Sequence, residues 1–142
     1  MPDGAERTVL LDTGPLVALL VDREPRHEWT VEQFRVLPAP LLTCEPVLTE
    51  AAHFLRHARG GLDRLFDLLE TGVLTVALDV NQEAASLRQL TSRYANVPMS
   101  LADACLVRMS EQHPDSAVLT FDADFNIYRR FGRRLIPTIS PR

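Results

Sequence analysis

Short aliphatic segments alternate with longer segments of helical periodicity along this chain, and this alternation limits the possible folds more than any other feature. Strands separated by helices are typical of an α/β protein with a mostly parallel sheet. The pattern therefore predicts a three-layer α/β/α fold with a central sheet of four to five strands. The predicted strands cover residues 8–11, 41–44, 73–79 and 117–121, and a fifth is considered at 134–139.

The length of 142 residues and the absence of repeats or linkers in the sequence predict a single domain, residues 1–142. Cys44 and Cys105 have no CxxC spacing, so we expect two small buried residues of a reducing compartment. No apolar run approaches the roughly 20 residues that a bilayer-spanning helix needs. A cytoplasmic protein with no membrane contact is the expectation.

All 15 basic residues are arginine, which excludes chemistry that depends on a lysine. A phosphorelay receiver relies on such a lysine and is therefore disfavoured. Nucleotide-binding folds are disfavoured because neither GxGxxG nor GxxxxGK occurs in the sequence. The formal net charge of −4 argues against an unaided nucleic-acid binder, unless bound cations change the sum.

Four carboxylates lie in apolar stretches, where an unpaired charge is costly. Asp12 interrupts TVLLDTGPLVALL and Asp122 follows the strand in AVLTFDADF, so both stand at carboxyl ends of predicted parallel strands, where open α/β sheets bind ligands. Glu50 and Asp103 lie on predicted helices. Their helical neighbours at i−3, i+3 or i+4 are apolar, namely Val47 and Phe54 for Glu50, and Leu106 and Val107 for Asp103, so we expect both to face the apolar side.

Each acid also has a purely structural interpretation. Asp12 can cap the helix that Pro15 opens, Glu50 can pair with an arginine, Asp103 fits a capping box, and Asp122 fits an Asx turn. Four acids at one sheet edge would, however, repel one another without cations. Mg²⁺ or Mn²⁺ removes that repulsion, and two such ions roughly 4 Å apart can hydrolyse a phosphodiester.

The motifs LLDTGPLVALL, VLTEAAHFL, SLADACLVRM and LTFDADF, in this order, resemble those of PIN-domain ribonucleases, especially the VapC-type toxins. The resemblance extends from Val9 to about Ile136. It implies a metal-dependent endoribonuclease that uses Mg²⁺ or Mn²⁺, is commonly a homodimer, and is often inhibited by a cognate antitoxin protein. By position it implies catalytic and metal-binding roles for Asp12, Glu50, Asp103 and Asp122, with Asp124 close by as a further ligand, and supporting hydroxyls at Thr13 and Thr120.

The remaining charged residues are predicted to be mainly solvated surface. This prediction includes Glu24, Glu28, Asp63, Glu83 and Glu111. Arg56, Arg129 and Arg130 are weaker candidates for RNA contacts, because Arg56 follows Glu50 on its helix and the other two begin the densest basic cluster. Two alternatives remain open: an RNA-processing nuclease of the same family that has no antitoxin, and a non-catalytic α/β interaction module whose acids are structural caps.

Overall fold

The computed structural model describes residues 7–141, so the ends of the predicted domain, residues 1–6 and 142, lie outside the described part. Its elements alternate as the sequence pattern predicts. In chain order they are β1 (Val9–Leu11), α1 (Thr13–Leu20), α2 (His27–Val36), β2 (Leu41–Thr43), α3 (Glu45–Leu55), α4 (Gly61–Glu70), β3 (Leu74–Val76), α5 (Val80–Arg93), α6 (Leu101–Gln112), β4 (Ala117–Leu119), a 3-10 turn (Ala123–Asn126), β5 (Arg129–Arg130), β6 (Arg134–Leu135) and β7 (Thr138–Ile139).

Five parallel strands form the central sheet in the order β3-β2-β1-β4-β7. The middle strand β1 pairs with β2 through Leu10 and Leu42, and with β4 through Leu10 and Val118. Every residue of β1 and β4 is buried, as expected for strands covered by helices on both faces. The predicted three-layer α/β/α fold with a parallel central sheet is therefore confirmed.

The segment considered as a fifth strand divides into two short strands. Residues of β6 pair antiparallel with β5 and form a hairpin, whereas β7 joins β4 in the central sheet. Between them lie Ile136, which is buried, and Pro137, which has no N–H to donate to a strand partner. The proline explains why the predicted strand at 134–139 is not continuous.

Three of the four acids stand at or near the start of a helix or 3-10 turn. Asp12 is the N-cap of α1, and Asp122 is the N-cap of the 3-10 turn that follows β4. Ser100 and Asp103 form a capping box at the start of α6, as their spacing predicts. The structural interpretations of these three acids are thus correct. The capping interactions hold the carboxylates at fixed places near the ends of β1 and β4.

The prediction that Glu83 and Glu111 are solvated was wrong. Their side chains are only 17% and 14% exposed, and both bind the guanidinium of Arg108. Nε of Arg108 lies 2.6 Å from Glu83, and Nη1 lies 3.0 Å from Glu111. The shared arginine joins α5 to α6, and the hydrogen bond to Glu83 is the main cause that raises the pKa of Arg108.

Both cysteines are buried and free, as predicted. No helix within residues 7–141 combines the length and the apolar character that a membrane crossing requires.

Candidate active site

An open cleft of about 560 Å³ lies where the strand order reverses in the central sheet. From β1 the chain builds one side of the sheet with β2 and β3, and then the other side with β4 and β7. Such a switch point is where open α/β sheets bind ligands. The structure brings all five predicted acids to this cleft, together with Glu24, which was expected to face solvent. The lining acids are Asp12, Glu24, Glu50, Asp103, Asp122 and Asp124.

Asp12 is the most buried of the acids, with 7% of its surface exposed. Its Oδ1 accepts the backbone N–H of Thr13 at 2.8 Å, and its Oδ2 accepts the hydroxyl of Thr120 at 2.7 Å. Burial raises the pKa of Asp12 to about 6, the two hydrogen bonds oppose that rise, and the charges of Asp103 and Asp122 add to it. The carboxylate is therefore held firmly but without a compensating positive charge.

Asp103 takes part in three hydrogen bonds. Its backbone N–H donates to the hydroxyl of Ser100 at 3.0 Å, and its Oδ2 accepts the backbone N–H of Ser100 at 3.3 Å. The same Oδ2 accepts the phenol O–H of Tyr128 at 2.8 Å. Burial raises the pKa of Asp103, the Tyr128 hydrogen bond lowers it, and the nearby Asp122 raises it again. Tyr128 is fully buried, and it was not identified from the sequence as a site residue.

Glu50 reaches the cleft from the middle of α3 and is half-buried. The hydroxyl of Thr13 donates to its Oε1 at 2.7 Å, so the threonine that follows Asp12 orients a second acid. Among the described residues no arginine pairs with Glu50, which leaves the ion-pair interpretation without support. The expectation that Glu50 faces an apolar side was only half right. Val47 is buried, but Phe54 is 62% exposed and lines the cleft.

Asp122 and Asp124 form the Asx turn that the DADF segment allows. The N–H of Asp124 donates to Oδ1 of Asp122 at 2.9 Å, and the N–H of Asp122 donates to the hydroxyl of Thr120 at 2.9 Å. Asp122 is exposed and Asp124 is half-buried, and both border the cleft. Thr120 therefore connects Asp12 to this turn, which supports the predicted ordering role of its hydroxyl.

An aromatic side chain forms the wall of the cleft beside α1. Phe121 lies so close to Gly14 that a Cβ added there would be 3.0 Å from a ring carbon. The ring is also 5.9 Å from the ring of Trp29, and the guanidinium of Arg26 lies 4.9 Å from its centroid. Gly14 is needed for this close approach. No local pattern signals it, because the contact joins residues far apart in the chain.

The donor set of the cleft suits a hard divalent cation. Within residues 7–141, no three His, Cys, Asp or Glu side chains are grouped closely enough to form a ready metal site. Burial and, to a smaller degree, neighbouring carboxylates nevertheless raise the pKa values of Asp12 and Asp103, and a cation would relieve that carboxylate repulsion. Carboxylate oxygens are the ligands that Mg²⁺ and Mn²⁺ prefer, so the residues present fit such an ion.

The three predicted RNA-contacting arginines do not line the cleft. Arg129 donates to the carbonyls of the preceding turn, at 2.7 Å for Asn126, and Arg130 donates at 3.0 Å to the carbonyls of Ser110 and Pro114 at the end of α6. Arg56 donates to the carbonyl of His53. Arg129 and Arg130 thus have structural partners, and RNA binding by these arginines stays a prediction.

The structure combines an α/β/α fold with an acidic cleft at the switch point of the sheet, as the four sequence motifs predict. Comparison with known families identifies the same class of protein. Residues 9–130 match the family model described as the PIN domain, so the chain belongs to the PIN domain family. The family predicted from the four motifs is confirmed.

A similar solved fold is the crystal structure of Mycobacterium tuberculosis VapC20, described as a sarcin–ricin loop cleaving toxin. It is 20% identical over 89% of this chain and 99% of that chain, with a TM-score of 0.74. At this identity the likeness concerns the fold. No sequence among the curated proteins matches the chain.

Proposed function

We propose that this protein is a metal-dependent endoribonuclease that hydrolyses RNA phosphodiester bonds. The observation that carries the proposal is the convergence of Asp12, Glu50, Asp103 and Asp122 on one cleft at the switch point of the sheet. Membership of the PIN domain family supports the same activity. Structural capping alone accounts for three of these acids, but it does not account for the position of Glu50 or for the shared cleft.

Asp12, Asp103 and Asp122 are the residues that would hold Mg²⁺ or Mn²⁺, with Glu50 and Asp124 as further ligands. A bound pair of such ions supplies an activated water and stabilises the leaving oxygen of the scissile phosphate. Thr120 orients Asp12, and Thr13 orients Glu50 through its Oε1. The other oxygen of Glu50, Oε2, has no hydrogen-bond partner among the described residues and can accept a proton from the attacking water.

The cleft walls suit a single-stranded substrate. Phe54, Pro98 and Phe121 add apolar surface to an otherwise acidic cleft. Unstacked bases of single-stranded RNA pack on such side chains, whereas paired bases are hidden inside a duplex. We therefore propose that the cleft accepts an unpaired segment, such as a loop of a structured RNA.

RNA cleavage with Mg²⁺ or Mn²⁺, by wild type, Asp12→Asn and Glu50→Gln, tests the activity. We expect either substitution to lower cleavage by at least about 100-fold, because each removes a carboxylate from the proposed metal site. Glu45→Gln is the matched control, since Glu45 lies on the same helix as Glu50, is exposed and does not border the cleft. Equal cleavage by wild type and Asp12→Asn, or full cleavage in EDTA, would contradict the proposal.

The biological role that we propose is that of a toxin with a cognate antitoxin protein. In support, α3 and α4 leave three large apolar side chains exposed, Phe54, Leu62 and Phe66, and such surfaces are typical of partner contacts. Induced expression should arrest growth only when Asp12 is intact, and co-expression of the antitoxin should restore it. RNA cleavage without growth arrest would favour the RNA-processing alternative. If the wild-type protein neither cleaves RNA nor binds a metal ion, the non-catalytic interaction module is favoured.

A homodimer and a cytoplasmic location complete this proposal. The two free cysteines are consistent with a reducing compartment. Light scattering on the purified protein should give twice the mass of one chain. A single-chain mass at concentrations where the RNA is cleaved would exclude the dimer as the active form.

A further inference from the structure

A basic hairpin lies beyond the cleft, and the cleft chemistry does not use it. Residues 129–135 contain four arginines and no acid, and they form the antiparallel strands β5 and β6. The register places Arg130 directly opposite Arg134, and like charges in this position destabilise a strand pair. A second cavity, of about 540 Å³, opens at this hairpin and is lined by Arg93, Phe131, Gly132, Arg133 and Arg134.

The two hairpin arginines of this basic pocket, Arg133 and Arg134, have no acidic partner within residues 7–141. No acid of the described chain lines the pocket. Arg93 donates to the carbonyl of Gly132 at 2.5 Å, which fixes one guanidinium at the pocket. Glu111 touches the hairpin only through a backbone N–H, and its other oxygen binds Arg108.

Phe131 is held in an unusual conformation at the tip of the hairpin. Its φ is 53°, in the left-handed region that bulky residues rarely adopt, and the tight turn imposes it, because Gly132 has a positive φ as well and the N–H of Arg133 donates to the carbonyl of Arg130 at 3.3 Å. Its N–H donates to Oε2 of Glu111 at 2.7 Å. The ring is 48% exposed, and the guanidiniums of Arg130 and Arg134 lie 5.7 and 6.0 Å from it. An exposed ring among arginines is suited to base stacking beside phosphates.

The hairpin is tied to the cleft through two tyrosines. Tyr128, which donates to Asp103, directly precedes β5, and its ring packs edge-on against Tyr94 at 5.2 Å. The hydroxyl of Tyr94 accepts the N–H of Arg129 at 2.9 Å, and Tyr94 is the neighbour of Arg93. Phe131 follows Asp124, which lines the cleft, by seven positions, so their Cα atoms are at most about 25 Å apart. One RNA strand can therefore reach both places.

We propose that this basic pocket is a second RNA-binding site. Arg93, Arg133 and Arg134 contact phosphates outside the cleft, and Phe131 stacks on a base. The site would hold a segment of the RNA that flanks the unpaired part in the cleft. This inference rests on the proposed function, because it takes the same RNA as the substrate of the cleft. Arg129 and Arg130 do not line the basic pocket, and their guanidiniums bind carbonyls of the preceding turn and of α6, so in this proposal they shape the hairpin.

Binding measurements in an Asp12→Asn background test this site, because cleavage is then removed from the readout. The probes are a long unstructured RNA and an oligonucleotide too short to extend from the cleft to the basic pocket. For the long RNA we expect Arg133→Gln/Arg134→Gln to weaken binding about tenfold and to lower the salt slope by about 0.7 for each phosphate that is no longer neutralised. Phe131→Ala should weaken it about tenfold without changing the slope. Neither change should affect the short oligonucleotide.

Arg59→Gln/Arg88→Gln removes the same charge from exposed positions outside both cavities and is the matched control. Equal affinity and slope for the two double variants would overturn the second site. So would equal losses for the long and short RNA. Unchanged melting temperatures exclude unfolding as the cause. Failure of the wild type to cleave any RNA would instead remove the proposed function, while the binding result would still decide whether the hairpin holds RNA.

Discussion

Thr120 binds Asp12 through a hydrogen bond of 2.7 Å from its hydroxyl to Oδ2, and this bond joins the ends of the two central strands. The same hydroxyl oxygen accepts the N–H of Asp122 at 2.9 Å. One small side chain thus fixes the first and the fourth acid relative to each other, and its loss is the most direct test of how the cleft is ordered.

Thr120→Val should destabilise the protein by about 1–3 kcal/mol, because the valine leaves a buried carboxylate oxygen and a backbone N–H without their partner. It should also lower RNA cleavage, since Asp12 loses its orienting bond. Chemical denaturation and initial cleavage rates measure the two effects. Thr120→Ser keeps the hydroxyl and should restore most of both. If the serine variant is as impaired as the valine variant, the hydroxyl is not the group that matters.

Asp12→Asn should stabilise the metal-free protein at neutral pH. The pKa of Asp12 is about 6 in the folded protein, against 3.8 for an unperturbed aspartate, so the folded state binds the proton more tightly. The stability contributed by this protonation is therefore fully present below about pH 4 and is lost as the pH rises through 6. At 1.36 kcal/mol per unit the loss is on the order of 2–3 kcal/mol, and asparagine recovers part of it.

Denaturation of both proteins in EDTA from pH 4 to 8 measures this difference. The gain from Asp12→Asn should be small near pH 4, grow as the pH rises toward 6, and stay constant above that pH. A gain that is equal at pH 4 and pH 8 would mean that the charge of Asp12 is not its source.

Mn²⁺ or Mg²⁺ should raise the melting temperature relative to EDTA. An ion that binds only the folded state stabilises it by about 2.7 kcal/mol at a concentration 100 times its Kd. The effect should be lost in Asp103→Asn, which removes an acid from the cleft, and kept in Glu45→Gln. An equal rise in both variants would place the ion outside the cleft.

Gly14→Ala should displace Phe121, because the new Cβ would lie 3.0 Å from a carbon of its ring. Overpacking of this kind costs typically about 1–3 kcal/mol. A double-mutant cycle with Phe121→Ala measures it. If the ring is the obstacle, the alanine at position 14 should cost little once the ring is gone. Additive losses would show that the glycine is needed for another reason.

Local patterns in the sequence were sufficient to predict where the acids stand. Asp12 and Asp122 were assigned to strand ends, and the capping box of Ser100 and Asp103 was predicted from their spacing. Each of these depends on residues within a few positions of one another. The sheet edge then collects them by topology, so the acidic cleft follows once the strands are parallel.

Interactions between distant residues could not be predicted in the same way. Tyr128 and Asp103 are 25 positions apart, as are Arg108 and Glu83. No periodicity relates such pairs, and a glutamate that shares an arginine across two helices has the same sequence signature as one in solvent. The exposure of Phe54 depends likewise on how the last turn of α3 meets the cleft.

The capping of the acids decides the order of events at the cleft. Asp12, Asp103 and Asp122 each accept a backbone N–H at the start of a helix or turn. Their positions are thus set by the chain itself, and folding needs no ion to collect them. A divalent cation would then have only to draw together carboxylates that are already anchored but not yet grouped as a ready site within residues 7–141, and this last adjustment would be taken from its binding energy.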